Sequence, residues 1–347
     1  MIGRLSESML LLLVGAALGP AGLGVLSADV LSFLDPAMPV ALVALGLLAG
    51  LGVAVRPAGE RRLLAAASIE ALITTVIVAA GMLLVISAWN GPADVPYWFF
   101  ALVVGVCAAP SSVAAPRHDD PRTAAERIGT LDGLLPIAVG AAALALLREQ
   151  SGAAAIITLF ESAGVTLVIV LAGWLLISRS ASETEQRVFT AALLLLLGGA
   201  ADYLALSALL SGLLAGLLLE GIGGRARDSV RRDVLHFQHP LLVLVLIVTG
   251  ARVELPPVWI GLGLVYILLR TGAKLAAGWV ARRIGGSAVP ADLGMRLLSP
   301  GVLGIAFALN VLRASGPDAA GILAVAAVGT LGSDMISALV SRREEAA

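Results

Sequence analysis

Two stretches, Ala108-Ala109-Pro110-Ser111-Ser112-Val113 and Leu298-Ser299-Pro300-Gly301-Val302, each interrupt an apolar run of membrane-crossing length. A proline lacks the N–H that a helical turn needs, and its ring clashes with the turn before it. Both runs are therefore expected to unwind at Pro110 and Pro300. Unwound backbone at membrane depth survives only where protein or a water-lined cavity satisfies its polar groups. Ser299 and Gly301 beside the second proline, like Ser111 and Ser112 beside the first, are small or polar enough to pack around such a break. A pair of interruptions at corresponding places in two halves of a chain marks where a polar site is built inside the bilayer.

The rest of the sequence fits that setting. Of its 347 residues 59% are hydrophobic and 14% charged, and the mean hydropathy is +0.98, which excludes an ordinary soluble domain. The net charge of −1 gives no field that would hold nucleic acid. The lone Cys107 has no partner for a disulfide and reads as small packing. No hydrolase elbow, phosphate loop or zinc motif occurs, and His118, His236 and His239 lack the spacing of metal ligands. An enzyme is therefore the least favoured class.

Apolar stretches of bilayer length fall near 7–26, 36–55, 62–88, 96–115, 123–147, 153–177, 187–202, 204–221, 237–253, 257–281, 291–312 and 319–340, which predicts about 12 transmembrane helices. The basic residues divide accordingly. Of the 23 Lys and Arg residues, Arg148, Arg252 and Arg313 alone fall in one set of alternate loops, and Arg127, Arg270 and Lys274 fall within spans. All others, among them Arg4, Arg56, Arg61, Arg117, Arg122 and the group from Arg225 to Arg232, lie on the opposite side. That asymmetry places both termini in the cytoplasm of a cell-membrane protein.

The halves echo each other. Val14-Gly15-Ala16-Ala17-Leu18-Gly19 matches Ser211-Gly212-Leu213-Leu214-Ala215-Gly216, and Pro110 matches Pro300. Spans one to five thus correspond to eight to twelve. A displacement by seven spans inverts one half relative to the other. The expected organisation is a single membrane domain over 1–347, with inverted repeats at about 7–148 and 204–341, linker helices over 153–202 and no soluble regulatory domain.

Charges inside the spans need a partner, a cavity or a function. Asp132, in Thr130-Leu131-Asp132-Gly133-Leu134-Leu135-Pro136, is the deepest and follows the first broken span. Arg270 and Lys274 are four apart and share a helix face. Pairing Lys274 with Asp132 and Arg270 with Glu126 would balance both. An arginine at such depth is usually structural, because it keeps its proton, whereas a lysine can exchange one. Glu70, Glu161, Asp202 and Asp334 are weaker candidates. Asp334 is the repeat-related counterpart of Asp132.

These residues resemble the monovalent cation:proton antiporter superfamily, particularly its Kef-type and Nap-type sodium/proton exchanger branch. Leu18-Gly19-Pro20-Ala21-Gly22-Leu23-Gly24 looks like an early signature of that branch. Ala109-Pro110-Ser111-Ser112 sits at its serine/threonine-rich unwound segment. The stretch from Ser207 to Gly216 and Thr271-Gly272-Ala273-Lys274-Leu275-Ala276-Ala277-Gly278 follow in the right order. The resemblance implies the all-α antiporter fold, with two crossing broken helices in a core that moves against a dimerising panel, and hence a homodimer. It also implies that Asp132 binds the cation or proton and that Lys274 pairs with it.

The mechanism implied is alternating access, with Na+ or K+ and H+ as cargo competing for Asp132 and no resident cofactor. Ser111, Ser112, Thr130 and freed carbonyls would supply further hard oxygen ligands. Two departures stand out. Many relatives carry a polar residue before the aspartate, where this chain has Leu131, and thirteen spans are commoner than twelve. A single acid implies one-for-one exchange, or a lost ion site. An organic-anion symporter of the same fold and a non-transporting scaffold or sensor are the alternatives.

Overall fold

The computed structural model describes residues 6–53, 58–89, 94–112, 124–286 and 289–346. Arg4, Arg56, Val113, Arg117, His118 and Arg122 lie outside them. Among the described residues the chain is helical, and each of the twelve apolar stretches carries a helix or an interrupted pair. These are α1 (Glu7–Leu18), α3 (Ala37–Leu51), α4 (Ala58–Trp89), α5 (Tyr97–Ala108), α6 (Ala124–Leu131) with α7 (Leu134–Glu149), α8 (Gly152–Arg179) and α9 (Glu183–Tyr203). They continue as α10 (Ala208–Ile222), α11 (Gly224–Arg252), α12 (Pro257–Gly285), α13 (Leu293–Arg296) with α14 (Val302–Ser315), and α15 (Ala320–Ala346). By length and hydropathy alone, six of the described helices, or seven counting one bent pair, are sufficient to cross a membrane. The chain is a multi-pass membrane protein.

Two details differ from the sequence reading. A short helix, α2 (Ala28–Leu34), precedes α3 at an angle of 51°. The arginine-rich segment before residue 237 is not a loop but the first half of α11.

The packing shows why the two halves echo. α1 lies against α11 and α3 against α10, so the first span of each half meets the second span of the other. Glycines set both approaches. A Cβ on Gly212 would stand 2.1 Å from Val43 O, and one on Gly250 2.2 Å from Leu12 O. In a lipid solvent, apolar burial does not drive helices together, so close backbone contact across small residues does. α9 joins this glycine-seamed layer through α3 and α11. A second body forms around α4 and α12, which pack on each other and on α5 and α15 respectively. The breaks belong to this second body.

Replacing Gly212 by alanine should therefore cost about 1–3 kcal/mol of stability through overpacking. Gly164, with nothing within 4 Å of its would-be Cβ, should accept alanine without loss. Thermal unfolding of the two variants in detergent checks this contrast.

Candidate functional site

α5 ends at Ala108, Ala109 N closes a last tight turn on Val106 O at 3.4 Å, and the chain passes through Pro110, Ser111 and Ser112 without helical bonds. The second interruption runs from Leu297 to Gly301, between α13 and α14. Here the two breaks cross and bond to each other. Gly301 N donates to Pro110 O at 2.9 Å and Ser112 N donates to Ser299 O at 3.0 Å, an isolated antiparallel bridge between Ser111 and Pro300. The Ser112 hydroxyl adds contacts to Ser299 Oγ at 3.1 Å and Pro300 O at 3.2 Å. Antiparallel pairing of corresponding segments is what inverted halves produce.

The unwound turns still leave Ala108 O, Ala109 O and Leu298 O without an N–H at the crossing, and buried acceptors require donors. α12 provides them. Arg270, 1% exposed, donates Nε to Ala108 O at 3.0 Å, Nη2 to Pro110 O at 3.4 Å and Nη1 to Leu298 O. One guanidinium thus spans both breaks, which its fork of donors permits. Lys274, one turn along and fully buried, donates Nζ to Ala109 O and to Ser111 Oγ at 2.7 Å. Both cations face the carbonyl end of α5, where the helix dipole is negative.

Two buried acids complete the cluster. Lys274 Nζ lies 2.8 Å from Glu70 Oε1 on α4 and 3.7 Å from Asp132 Oδ2. Glu70 Oε1 also accepts from Thr74 Oγ1 at 3.0 Å. Asp132 sits at the turn between α6 and α7, where its backbone N–H still closes the last turn of α6 on Ile128 O at 2.9 Å. Neither of its carboxylate oxygens has a hydrogen-bond partner among the described residues, nor has Glu70 Oε2. The repeat-related Asp334 on α15 stands in the matching place at the other break, accepting from Ser299 Oγ at 3.3 Å.

The expected pairing of Arg270 with Glu126 is corrected. The guanidinium is occupied by backbone carbonyls, and Glu126 instead lines a cavity of about 710 Å³ between the two bodies. Pro110, Ser111, Ser112, Thr130 and Gly301 line that cavity too, with Leu45 and Leu48 of α3 and Arg231 of α11 on the facing wall. Thr130 turns its hydroxyl back to Arg127 O at 2.8 Å. Ser112 spends its hydroxyl bracing the crossing. Of the three hydroxyl residues, Ser111 alone bonds into the charged cluster. Lys274's nearest acid is thus Glu70, which the sequence reading weighed below Asp132. The signal was a lone glutamate in the apolar run of α4 with Thr74 one turn on. Glu161 lies on an exposed face of α8, away from this cluster.

The carbonyls make Arg270 the residue on which the crossing depends. Arg270→Leu should lose about 1–3 kcal/mol for each buried acceptor left unmet. Arg270→Lys should recover only part, because an ammonium cannot reach both breaks. Thermal unfolding of both variants in detergent gives the ranking.

No family model matches the chain, and no curated protein matches it. Solved structures do. The structure at pH 8 of the sodium proton antiporter MjNhaP1 from Methanocaldococcus jannaschii superimposes with a TM-score of 0.64 at 18% identity. The match covers 97% of this chain and 90% of that one. An electron-microscopy map of the same antiporter gives a TM-score of 0.66, with the same identity and coverage. Crossed breaks, inverted halves and an end-to-end match lead to one conclusion: the chain has the sodium/proton antiporter fold.

Proposed function

We propose that this protein exchanges a monovalent cation, Na+ or K+, for a proton by alternating access, with Asp132 as the shared binding group. One observation carries the reading. A buried carboxylate that accepts no hydrogen bond among the described residues, and faces Lys274 only at 3.7 Å, stands beside the crossing of two broken helices, two residues from a cavity-lining threonine. A carboxylate so placed is stable when it binds a proton or a dehydrated cation. Ser111 Oγ and the freed carbonyls are the hard oxygen donors nearest to hand.

Lys274 has a defined part in this reading. Held at 2.8 Å by Glu70 and at 3.7 Å from Asp132, it balances charge at the site while its hydrogen bond goes to Glu70, so the aspartate is left for cargo. The proposal includes twelve spans, both termini on the arginine-rich side taken as cytoplasmic, and a homodimer built on the glycine-seamed body. Leu131 adds no ligand, so one cation exchanges for one proton.

The test is proton release from everted vesicles or proteoliposomes on addition of Na+, K+ or Li+. Asp132→Asn should abolish a cation-triggered pH change that the parent shows. Glu70→Gln should instead raise the half-saturating cation concentration about tenfold, because Lys274 then turns to Asp132 and competes with the cation. Exchange that persists in Asp132→Asn at the parent rate would overturn the assignment. No response to any cation from well-folded protein would favour the organic-anion or non-transporting reading.

A further inference from the structure

Only Arg148, Arg252 and Arg313 lie on the arginine-poor side; Arg313 ties the two bodies together, and Arg252 holds the same acceptor within the glycine-seamed layer. Arg313, near the end of α14, donates Nη1 to Asp35 O at 2.9 Å and Nη2 to Asp202 Oδ1 at 2.8 Å, and contacts Asp35 Oδ1 at 3.2 Å. Asp35 precedes α3 and Asp202 closes α9, both in the glycine-seamed layer. Arg252 of α11 holds the same Asp35 carboxylate. Arg148, at the end of α7, donates to Leu204 O at 2.9 Å and Ala205 O at 3.2 Å, in the turn before α10.

A buried contact lies one turn deeper. Asn310, three residues before Arg313 and so on the same face of α14, accepts from Ala208 N at 3.1 Å and donates to Ser207 Oγ at 3.3 Å. Beside these ties is a second cavity of about 320 Å³. It includes Leu210, Ala314 and Ser162, and no residue of the breaks. Ser162 is 2% exposed, and its hydroxyl has no partner among the described residues. On the other side of the molecule the larger cavity already reaches the breaks.

We infer that Asn310 and Arg313 form the latch that shuts the second access route, and that the cavity at Ser162, with an exposed rim at Asp94, Arg148 and Asp318, is the vestibule of that route, shut off from the breaks. The inference rests on the two-sided access proposed above and assigns it residues. α14 begins at the break and ends at the latch, so one rigid helix connects the site with the seam. Opening the arginine-poor side requires α14 to leave Ser207, Ala208, Asp35 and Asp202 together. Losing those contacts should shift the population toward the state in which the vestibule is open.

A single thiol reads that population. In a Cys107→Ala background, Ser162→Cys places a near-isosteric reporter in the cavity, and its reaction with a water-soluble maleimide is followed in nanodiscs. Adding Arg313→Gln should speed labelling about tenfold, equivalent to about 1.4 kcal/mol of shifted equilibrium. Asp35→Asn with Asp202→Asn, which removes the partners instead, should do the same. Arg232→Gln, which breaks an ion pair with Glu183 inside one body, should leave the rate unchanged.

Equal labelling in the parent and the latch variants would overturn the inference. So would an equal acceleration by Arg232→Gln, which would indicate general loosening. If Arg313→Gln aggregates, Asn310→Ala carries the same expectation and the same contrary outcome. Labelling does not depend on ion flux, so a latch that opens in a chain moving no cation would fail the antiport reading alone.

Discussion

Everything at the centre of this molecule depends on two cations supplying the hydrogen bonds that two broken helices lack. Pro110 and Pro300 end the helical ladders inside the membrane, where no bulk water can replace the lost partners. The breaks bond once to each other on either side of the Ser111–Pro300 bridge. Arg270 and Lys274 then take Ala108 O, Ala109 O and Leu298 O, and Arg270 adds a second donor to Pro110 O. Without those donors the crossing would expose carbonyls with nowhere to turn. With them, positive charge is fixed at the crossing, and that charge calls for nearby carboxylates. Glu70 and Asp132 follow from the breaks by electrostatics.

Division of labour between the two basic residues follows from their chemistry. The guanidinium is planar, keeps its proton and presents several donors, so Arg270 can bridge segments 188 residues or more apart along the chain, as between Ala108 and Leu298. The ammonium of Lys274 is compact and reaches a carbonyl, a hydroxyl and two carboxylates from one point. Arg270 is therefore structural in its contacts. Lys274 is where structure and charge balance meet.

Much of this was legible in the sequence, and the reasons are local. Apolar runs, prolines within them and two cations four apart on a helix all declare themselves over a few residues. The glycines at 15 and 212 declared the repeat, because close helix contact in lipid demands small side chains at helical spacing. The acceptors of Arg270 were not legible, since every residue carries a carbonyl and only the crossing decides which are bare. Glu70 was undervalued for a related reason. Its nearness to Lys274 depends on how α4 packs on α12, across 204 positions, and a difference of about an ångström separates it from Asp132. The basic first half of α11 read as a loop because its arginines mask a helix whose buried face, with Ala226, Val230 and Val234, is spaced for packing.

The charges of the cluster limit what it can carry. Arg270 and Lys274 bring two positive charges to the crossing, against the carboxyl groups of Glu70, Asp132 and, at the other break, Asp334. Removing one partner of a buried set is costly because it strands the other charge. Under the exchange reading, a proton or a monovalent cation on Asp132 raises the sum by the same single charge. The core body then crosses between its two exposures carrying the same charge with either cargo. Neither passage is favoured electrostatically over the other, and one-for-one exchange moves no net charge per cycle. A divalent cation would carry an extra positive charge into a site already holding two cations, with Leu131 in place of a second acid. Under that same reading, the geometry that occupies Lys274 with Glu70 would favour singly charged cargo by charge balance, before cavity size or ligand number enters.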